Sequence, residues 1–337
     1  MAYTTIKKPS DYFETTTYTG GATDVSSLSF QPDLVWAKKR DGAEAHGLFD
    51  SVRGALKALK PNADNAEATR SGSLTSFDSD GWSMGGSDGI ISSSGYNYVG
   101  WSWKAGTTGS GTTNANKSYN YSVNTTSGFS IIKYTGSGAS GHEIPHGLSA
   151  TPKFIITKRL ESTQDWIVYS AAIPGNYVKL NSTTAAFSYT YITSTDNTEY
   201  TIGVGGADIN NADETYIAYC FAEKQGYSKF GSYTGNGSTD GTFVYTGFKP
   251  AFVICKRTNS TGNWIMFDSK RDGFNSQNDN LYTNTTTAEQ SDGALDIFSN
   301  GFKCTVTGTD VNGSGSSYIY MAFAEQPLVG DNPATAR

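Results

Sequence analysis

The sequence predicts an all-β protein made of three tandem, related β-sandwich repeats, jelly-roll-like or immunoglobulin-like in topology. Three observations lead there: a composition tilted towards strand and turn formers, scarce helical periodicity, and a set of landmarks that occurs three times in the same order. Hydrophobic residues make up 36% and charged residues 17% of the 337 positions, both low for a globular chain, and Gly, Ser, Thr, Asn and aromatics fill the difference. Apolar residues at three-to-four spacing are confined to Ser51 to Leu59 (SVRGALKAL), the one segment expected as a short helix.

Each repeat opens with a Tyr-Thr-Gly turn, at Tyr18, Tyr134 and Tyr233. The glycine is expected to supply the positive φ of a tight turn. Next comes a proline followed by a β-rich run ending in Lys: FQPDLVWAKKR from Phe30, LSATPKFIITKR from Leu148 and FKPAFVICKR from Phe248. An aromatic strand follows in GLFDSVRG (Gly47), DWIVYSA (Asp165) and NWIMFDSKRDG (Asn263), and its last acidic member is missing from the second copy. Ser79-Asp80-Gly81-Trp82 and Ser299-Asn300-Gly301-Phe302 then read as hairpin turns, because Asp-Gly and Asn-Gly suit two-residue loops. Each copy closes on an alternating strand, YVGWSWKAG (Tyr98), YIAYCFAEK (Tyr216) or YIYMAFAEQ (Tyr318), whose bulky and small residues imply one buried face.

Roughly a hundred residues separate the copies, the size of a self-sufficient sandwich. The domains are therefore placed at 1–106, 119–225 and 226–337. Gly106 to Ser118 (GTTGSGTTNANKS) reads as a Gly/Ser/Thr linker, taken as 107–118, that sets the divergent first domain apart. The junction near Gln225-Gly226 has almost no linker, so the second and third domains are expected to pack directly.

Net charge of −6 offers no basic surface for phosphates, which argues against nucleic-acid binding. No run of about 18 apolar residues exists, so no membrane insertion is expected. The start MAYTTIKKPSDY lacks secretory-signal features, which implies assembly in the cytoplasm. Cys220, Cys255 and Cys304, odd in number and each inside an apolar strand, read as reduced core thiols.

His142-Glu143-Ile144-Pro145-His146 spells the zinc-protease pattern, but Pro145 and the flanking turns deny it the helix that would bring both imidazoles to one metal. Asp78-Ser79-Asp80-Gly81 lacks the later acid of a calcium loop. Gly203 to Ala207 (GVGGA) has no strand-then-helix setting for phosphate and reads as a turn. Glu223 and Glu325 recur at the ends of two closing strands and form no evident catalytic pair. No cofactor, metal or catalytic residue is assigned, and the chain is expected not to be an enzyme. With 21 Tyr and 17 Phe, some rings should reach the surface. Trp82, Tyr96 and Tyr282, in or near loops, are the candidates for stacking on a ligand such as a sugar.

The set of YTG, a proline-led F-x-[IV]-[IV]-x-K-R strand, a DW or NW strand and a closing YIxxxFAE resembles a repeat of bacteriophage tail and fibre proteins, including those of marine cyanophage type. The best match runs through Tyr233 to Gly237, Phe248 to Arg257, Trp264 to Gly273 and Tyr318 to Glu325, with the first copy departing most. The resemblance implies a virion structural protein, foremost a tail fibre or tail-tip adhesin contacting host glycan or an outer-membrane component. Its partners would be other virion proteins and itself, as a homotrimer. A head-decoration or tail structural subunit is the alternative, and a polysaccharide depolymerase a third.

Overall fold

In the computed structural model, which describes residues 3–204 and 208–335, antiparallel sheets carry the chain. Among the described residues the only helical element is a 3-10 turn, Pro9–Asp11. Gly205 to Ala207 of the glycine cluster lie outside the described residues.

The first copy contributes β1 (Phe13–Thr19), β2 (Asp24–Val25), β3 (Leu34–Lys39), β4 (Gly47–Asp50), β5 (Lys57–Ala58), β6 (Ala68–Thr69), β7 (Leu74–Asp78), β8 (Gly81–Met84) and β9 (Asn97–Trp103). A large sheet runs β1-β9-β3-β4 and a small one β2-β8-β7. The second copy adds β10 (Thr107–Thr112), β11 (Ser118–Asn124), β12 (Phe129–Thr135), β13 (His142–Pro145), β14 (Phe154–Arg159), β15 (Ile167–Ser170), β16 (Asn176–Lys179), β17 (Phe187–Ser188), β18 (Ile192–Thr195), β19 (Glu199–Ile202) and β20 (Thr215–Phe221). Its large sheet runs β10-β11-β12-β20-β14-β15-β16-β17, and its small one β13-β19-β18. The third comprises β21 (Ser228–Thr234), β22 (Phe243–Tyr245), β23 (Phe248–Arg257), β24 (Trp264–Asp268), β25 (Gln277–Tyr282), β26 (Gln290–Phe298), β27 (Gly301–Cys304) and β28 (Ser317–Pro327), in the continuous order β21-β28-β23-β24-β25-β26-β27-β22. Matching strands thus pair in the same order in each copy.

Several expectations need correction. Ser51 to Leu59 is not a helix but a series of turns leading into β5. Gly54 and Leu56 have φ of 93° and 69°, incompatible with a right-handed helix, and Arg53 is pulled inward onto Asp50. Residues 107–118 are not a tether. β10 and β11 form a hairpin in which Gly109 and Gly111 face Tyr121 and Tyr119, whose rings lie where a Cβ would be. The glycines of Tyr-Thr-Gly do not have positive φ. A Cβ on Gly20, Gly136 or Gly235 would stand 2.2, 2.2 or 2.5 Å from the carbonyl oxygen of Ser93, Asn211 or Gly313, so close backbone approach explains them.

The closing strands are buried on both faces, not one. Val99, Trp101 and Trp103, with Ile217, Tyr219 and Phe221 and with Ile319, Met321 and Phe323, meet in one central core. Leu34, Trp36, Phe154, Ile156, Phe252 and Ile254 enter it from β3, β14 and β23. The opposite faces pack on each copy's own short strands, β2-β8-β7 in the first, β13-β19-β18 in the second and the β26-β27-β22 end of the continuous sheet in the third, as Val35 and Ala37 do on Trp82 and Leu74. The first copy is therefore as firmly joined as the others.

Three seams close the arrangement, and each carries the same pair of backbone hydrogen bonds. Between the first and second copies Glu67 N–H donates to Leu160 O (2.8 Å) and Gln164 N–H to Asp64 O (2.9 Å). Between the second and third, Ala186 donates to Thr258 (2.8 Å) and Gly262 to Thr183 (2.9 Å). Between the third and first, Glu289 donates to Arg40 (2.8 Å) and Glu44 to Thr286 (2.9 Å). Side chains repeat the scheme: Trp166 Nε1 donates to Lys60 O (3.1 Å), Trp264 Nε1 to Lys179 O (2.9 Å), and His46 Nε2 lies 3.0 Å from Tyr282 O.

Candidate functional site

The local chemistry that holds the loops explains the strongest sequence landmarks. In each copy the Tyr of Tyr-Thr-Gly stacks on the Tyr that opens the closing strand: Tyr18 on Tyr98, Tyr134 on Tyr216, Tyr233 on Tyr318, with centroids 5.4, 5.3 and 4.9 Å apart. The hydroxyls of Tyr18, Tyr134 and Tyr233 donate to the carbonyls of Ile91, Ile209 and Val311. The long loop before each closing strand is thereby pinned. These repeated tyrosines serve the scaffold, so the surface must be searched for what is not repeated.

Of the three aromatics expected to bind, Trp82 is in β8 and fully buried in the first copy's core. It packs edge-on against Tyr18, and its burial overturns the reading of a loop aromatic. Tyr96 is 43% exposed, and the Lys39 ammonium sits 3.0 Å from its ring centroid. Tyr282 ends β25, half-buried against the third copy's core, with its carbonyl facing His46. The three do not form one site.

His142 lies on edge strand β13 and His146 just beyond it. His142 is held by Asn210 and Thr113 (both 2.8 Å), and Nδ1 of His146 accepts from Leu148 N–H (3.2 Å). Burial lowers the pKa of each. Among the described residues no group of three His, Cys, Asp or Glu side chains converges as a metal site. Glu223 pairs with Lys229 and Glu325 with Lys249, so each carboxylate is engaged locally. Cys220, Cys255 and Cys304 are free and buried, and desolvation raises their pKa values, that of Cys304 to about 11.

One surface feature is confined to a single copy. On the small-sheet side of the third copy, Phe243 (45% exposed), Tyr245 (56%) and Phe298 (36%) stand outward. Phe243 and Tyr245 flank buried Val244 on edge strand β22, and Phe243 meets Phe298 edge-on at 5.9 Å. By register, Val244 opposite Phe302 corresponds to Val25 opposite Trp82 and to Ile144 opposite Tyr200. The aromatics therefore occupy positions held by Asp24, Ser26 and Asp78 in the first copy, and by Glu143, Pro145 and Asp196 in the second. The fold is built twice without them, so packing alone does not demand them. The signal lay in the Phe-Val-Tyr alternation, which is visible only once the copies are aligned strand by strand.

A family model described as Domain of unknown function (DUF7483) matches residues 8–327. The chain belongs to the DUF7483 family. No curated protein and no solved structure matches it significantly. The DUF7483 match spans all three copies and all three seams as one unit, in keeping with their shared central core.

Proposed function

We propose that this DUF7483 chain is a bacteriophage virion structural protein, a tail-fibre or tail-tip appendage built from three β-sandwich units closed into a pseudo-threefold ring, and that it contacts the host surface. The observation that carries the reading is the exposed Phe243, Tyr245 and Phe298 strip, present in one unit of three. Flat rings displayed beside polar strands suit stacking on sugar faces or packing on a protein partner. The resemblance to phage tail repeats supplies the particle, and the ring supplies a rigid support. A fibre ordinarily gains threefold symmetry from three chains. Because one chain here offers that arrangement by itself, we propose a single copy seated on a threefold shaft rather than the homotrimer expected from sequence.

The test replaces the strip by the residues of the first unit, Phe243→Asp, Tyr245→Ser and Phe298→Asp, in particles and in purified chain. Loss of adsorption to host cells with normal particle assembly supports the adhesin. Particles that fail to incorporate the variant chain would assign the strip to a neighbouring virion protein, as a decoration or tail subunit requires. Unchanged adsorption and assembly would remove the strip from either role.

A further inference from the structure

The three seams are alike in backbone but not in what lines them. At the seam between the third and first units, a cleft of about 300 Å³ is lined by Arg40, Asp41, Asn97 and Glu289. Arg40 spans it with two hydrogen bonds from Nε to Glu289 (3.0 and 2.9 Å) and one from Nη2 (2.7 Å). The matching positions at the seam between the second and third units are Thr258, Asn259, Ser317 and Ala186, and they line a cleft of about 390 Å³ that contains no charged side chain.

Ala172, Ile173 and Ala186 give its lining an aliphatic part and Tyr318 an aromatic one, and Ser232 and Asn176 add further polar groups. Asn259 spends its Oδ1 on Ser317 N–H (3.2 Å) and on Arg257 (3.3 Å), while its amide nitrogen has no protein partner among the described residues. Asn176 donates to Pro174 O (3.3 Å), which leaves its Oδ1 without one. The volume is at the low end of small-molecule sites. Hydroxyls and amides beside aliphatic and aromatic side chains match a ring that carries hydroxyls on its rim and C–H groups on its face. No lining residue is charged, so an amine finds no carboxylate there, and Arg257, just outside the lining, directs its Nε to Asn259.

We infer that the cleft between the second and third units binds one unit of a neutral carbohydrate. The site stands on the cleft alone, apart from the aromatic strip. The test is saturation-transfer NMR on the full chain with glucose, galactose and N-acetylglucosamine, and with glucuronic acid and glucosamine as charged comparators, combined with 15N labels on asparagine. The expected result is a neutral sugar that shifts the side-chain amides of Asn176 and Asn259. Ile173→Trp, which fills the cleft, and the isosteric Asn259→Asp should each weaken that binding at least about tenfold. The strip variant Phe243→Asp/Tyr245→Ser should retain it. Absence of shifts at both amides with every sugar, or binding that survives Asn259→Asp, would overturn the inference. Binding lost only with the strip variant would place the sugar on the aromatic surface and overturn it as well.

Discussion

His46 shows how much one side chain can carry. The Trp36 indole N–H donates to its Nδ1 (3.0 Å), so that nitrogen is bare and Nε2 holds the proton that faces the Tyr282 carbonyl across a seam. Burial, helped by the nearby Lys38 charge, pushes its pKa from 6.5 down to about 3. The unfolded chain therefore takes up a proton near pH 6.5 that the folded chain refuses until about pH 3. Stability is complete above that window and falls as pH drops through it, by about 1.4 kcal/mol per pH unit for this proton. His142 and His146, also shifted down, add to the slope. Urea denaturation between about pH 7 and pH 5 should show this loss, and His46→Gln should reduce its slope by about one proton. Glycines separate by cause in the same way. Gly175 has φ of 73° and open space around it, so Gly175→Ala should cost about 1–2 kcal/mol. Gly136→Ala sets a Cβ 2.2 Å from Asn211 O and should cost about 3 kcal/mol or more, both read by chemical denaturation.

At the scale of elements, the acidic residue missing from the second copy explains a buried network. Asp50 and Arg53, both side chains fully buried, pair at 2.5 Å, and Glu67 joins them at 3.1 Å. Tyr219 of the second unit donates to Asp50 (2.7 Å). Asp268, Arg271 and Glu289 repeat the arrangement, with Trp101 of the first unit as donor to Asp268 (3.1 Å). The second unit has Ser170, Ile173 and Ala186 there, and the position matching Tyr219 and Trp101 is Met321. Arg53→Ile alone leaves a buried carboxylate without its cation and should cost about 3–5 kcal/mol. Asp50→Ser, Arg53→Ile, Glu67→Ala and Tyr219→Met together install the apolar version that the chain already uses. That set should cost less than Arg53→Ile by itself, measured as the shift in denaturation midpoint. A quadruple variant less stable than the single one would show that the network is worth more than its desolvation costs.

For the whole molecule, the central core decides the behaviour. Phe13, Trp103, Phe252 and Phe323 come from the first and third units and touch one another, with Phe221 of the second against Trp103 and Phe323. Each fully buried ring of this kind contributes about 2–3 kcal/mol, and separating the units would expose them all. Thermal unfolding should therefore be one cooperative transition with equal calorimetric and van't Hoff enthalpies. A fragment of residues 119–225 should fail to give a dispersed amide spectrum. Three separable transitions, or a folded fragment, would mean that each unit stands alone.

The sequence by itself determined the all-β class, the three sets of landmarks, the β7–β8 and β26–β27 hairpins, and the core thiols, because composition, strand alternation and turn chemistry are local properties; the loop residues themselves are Ser79-Asp80 and Ser299-Asn300, one position before the expected Asp-Gly and Asn-Gly pairs. It also showed the acid missing from the second copy, though not its partners. Only the tertiary structure decided that Gly109 and Gly111 build a strand under tyrosines rather than a tether, that Trp82 is buried, and that Val99, Ile217 and Ile319 share one core. The same holds for the outward Phe243, Tyr245 and Phe298 strip and for the uncharged seam cleft. These depend on which faces meet across distant parts of the chain: the near-continuous apolar runs YIAYCFA and YIYMAFA are what a strand buried on both faces carries, but a run does not name the surfaces that cover it.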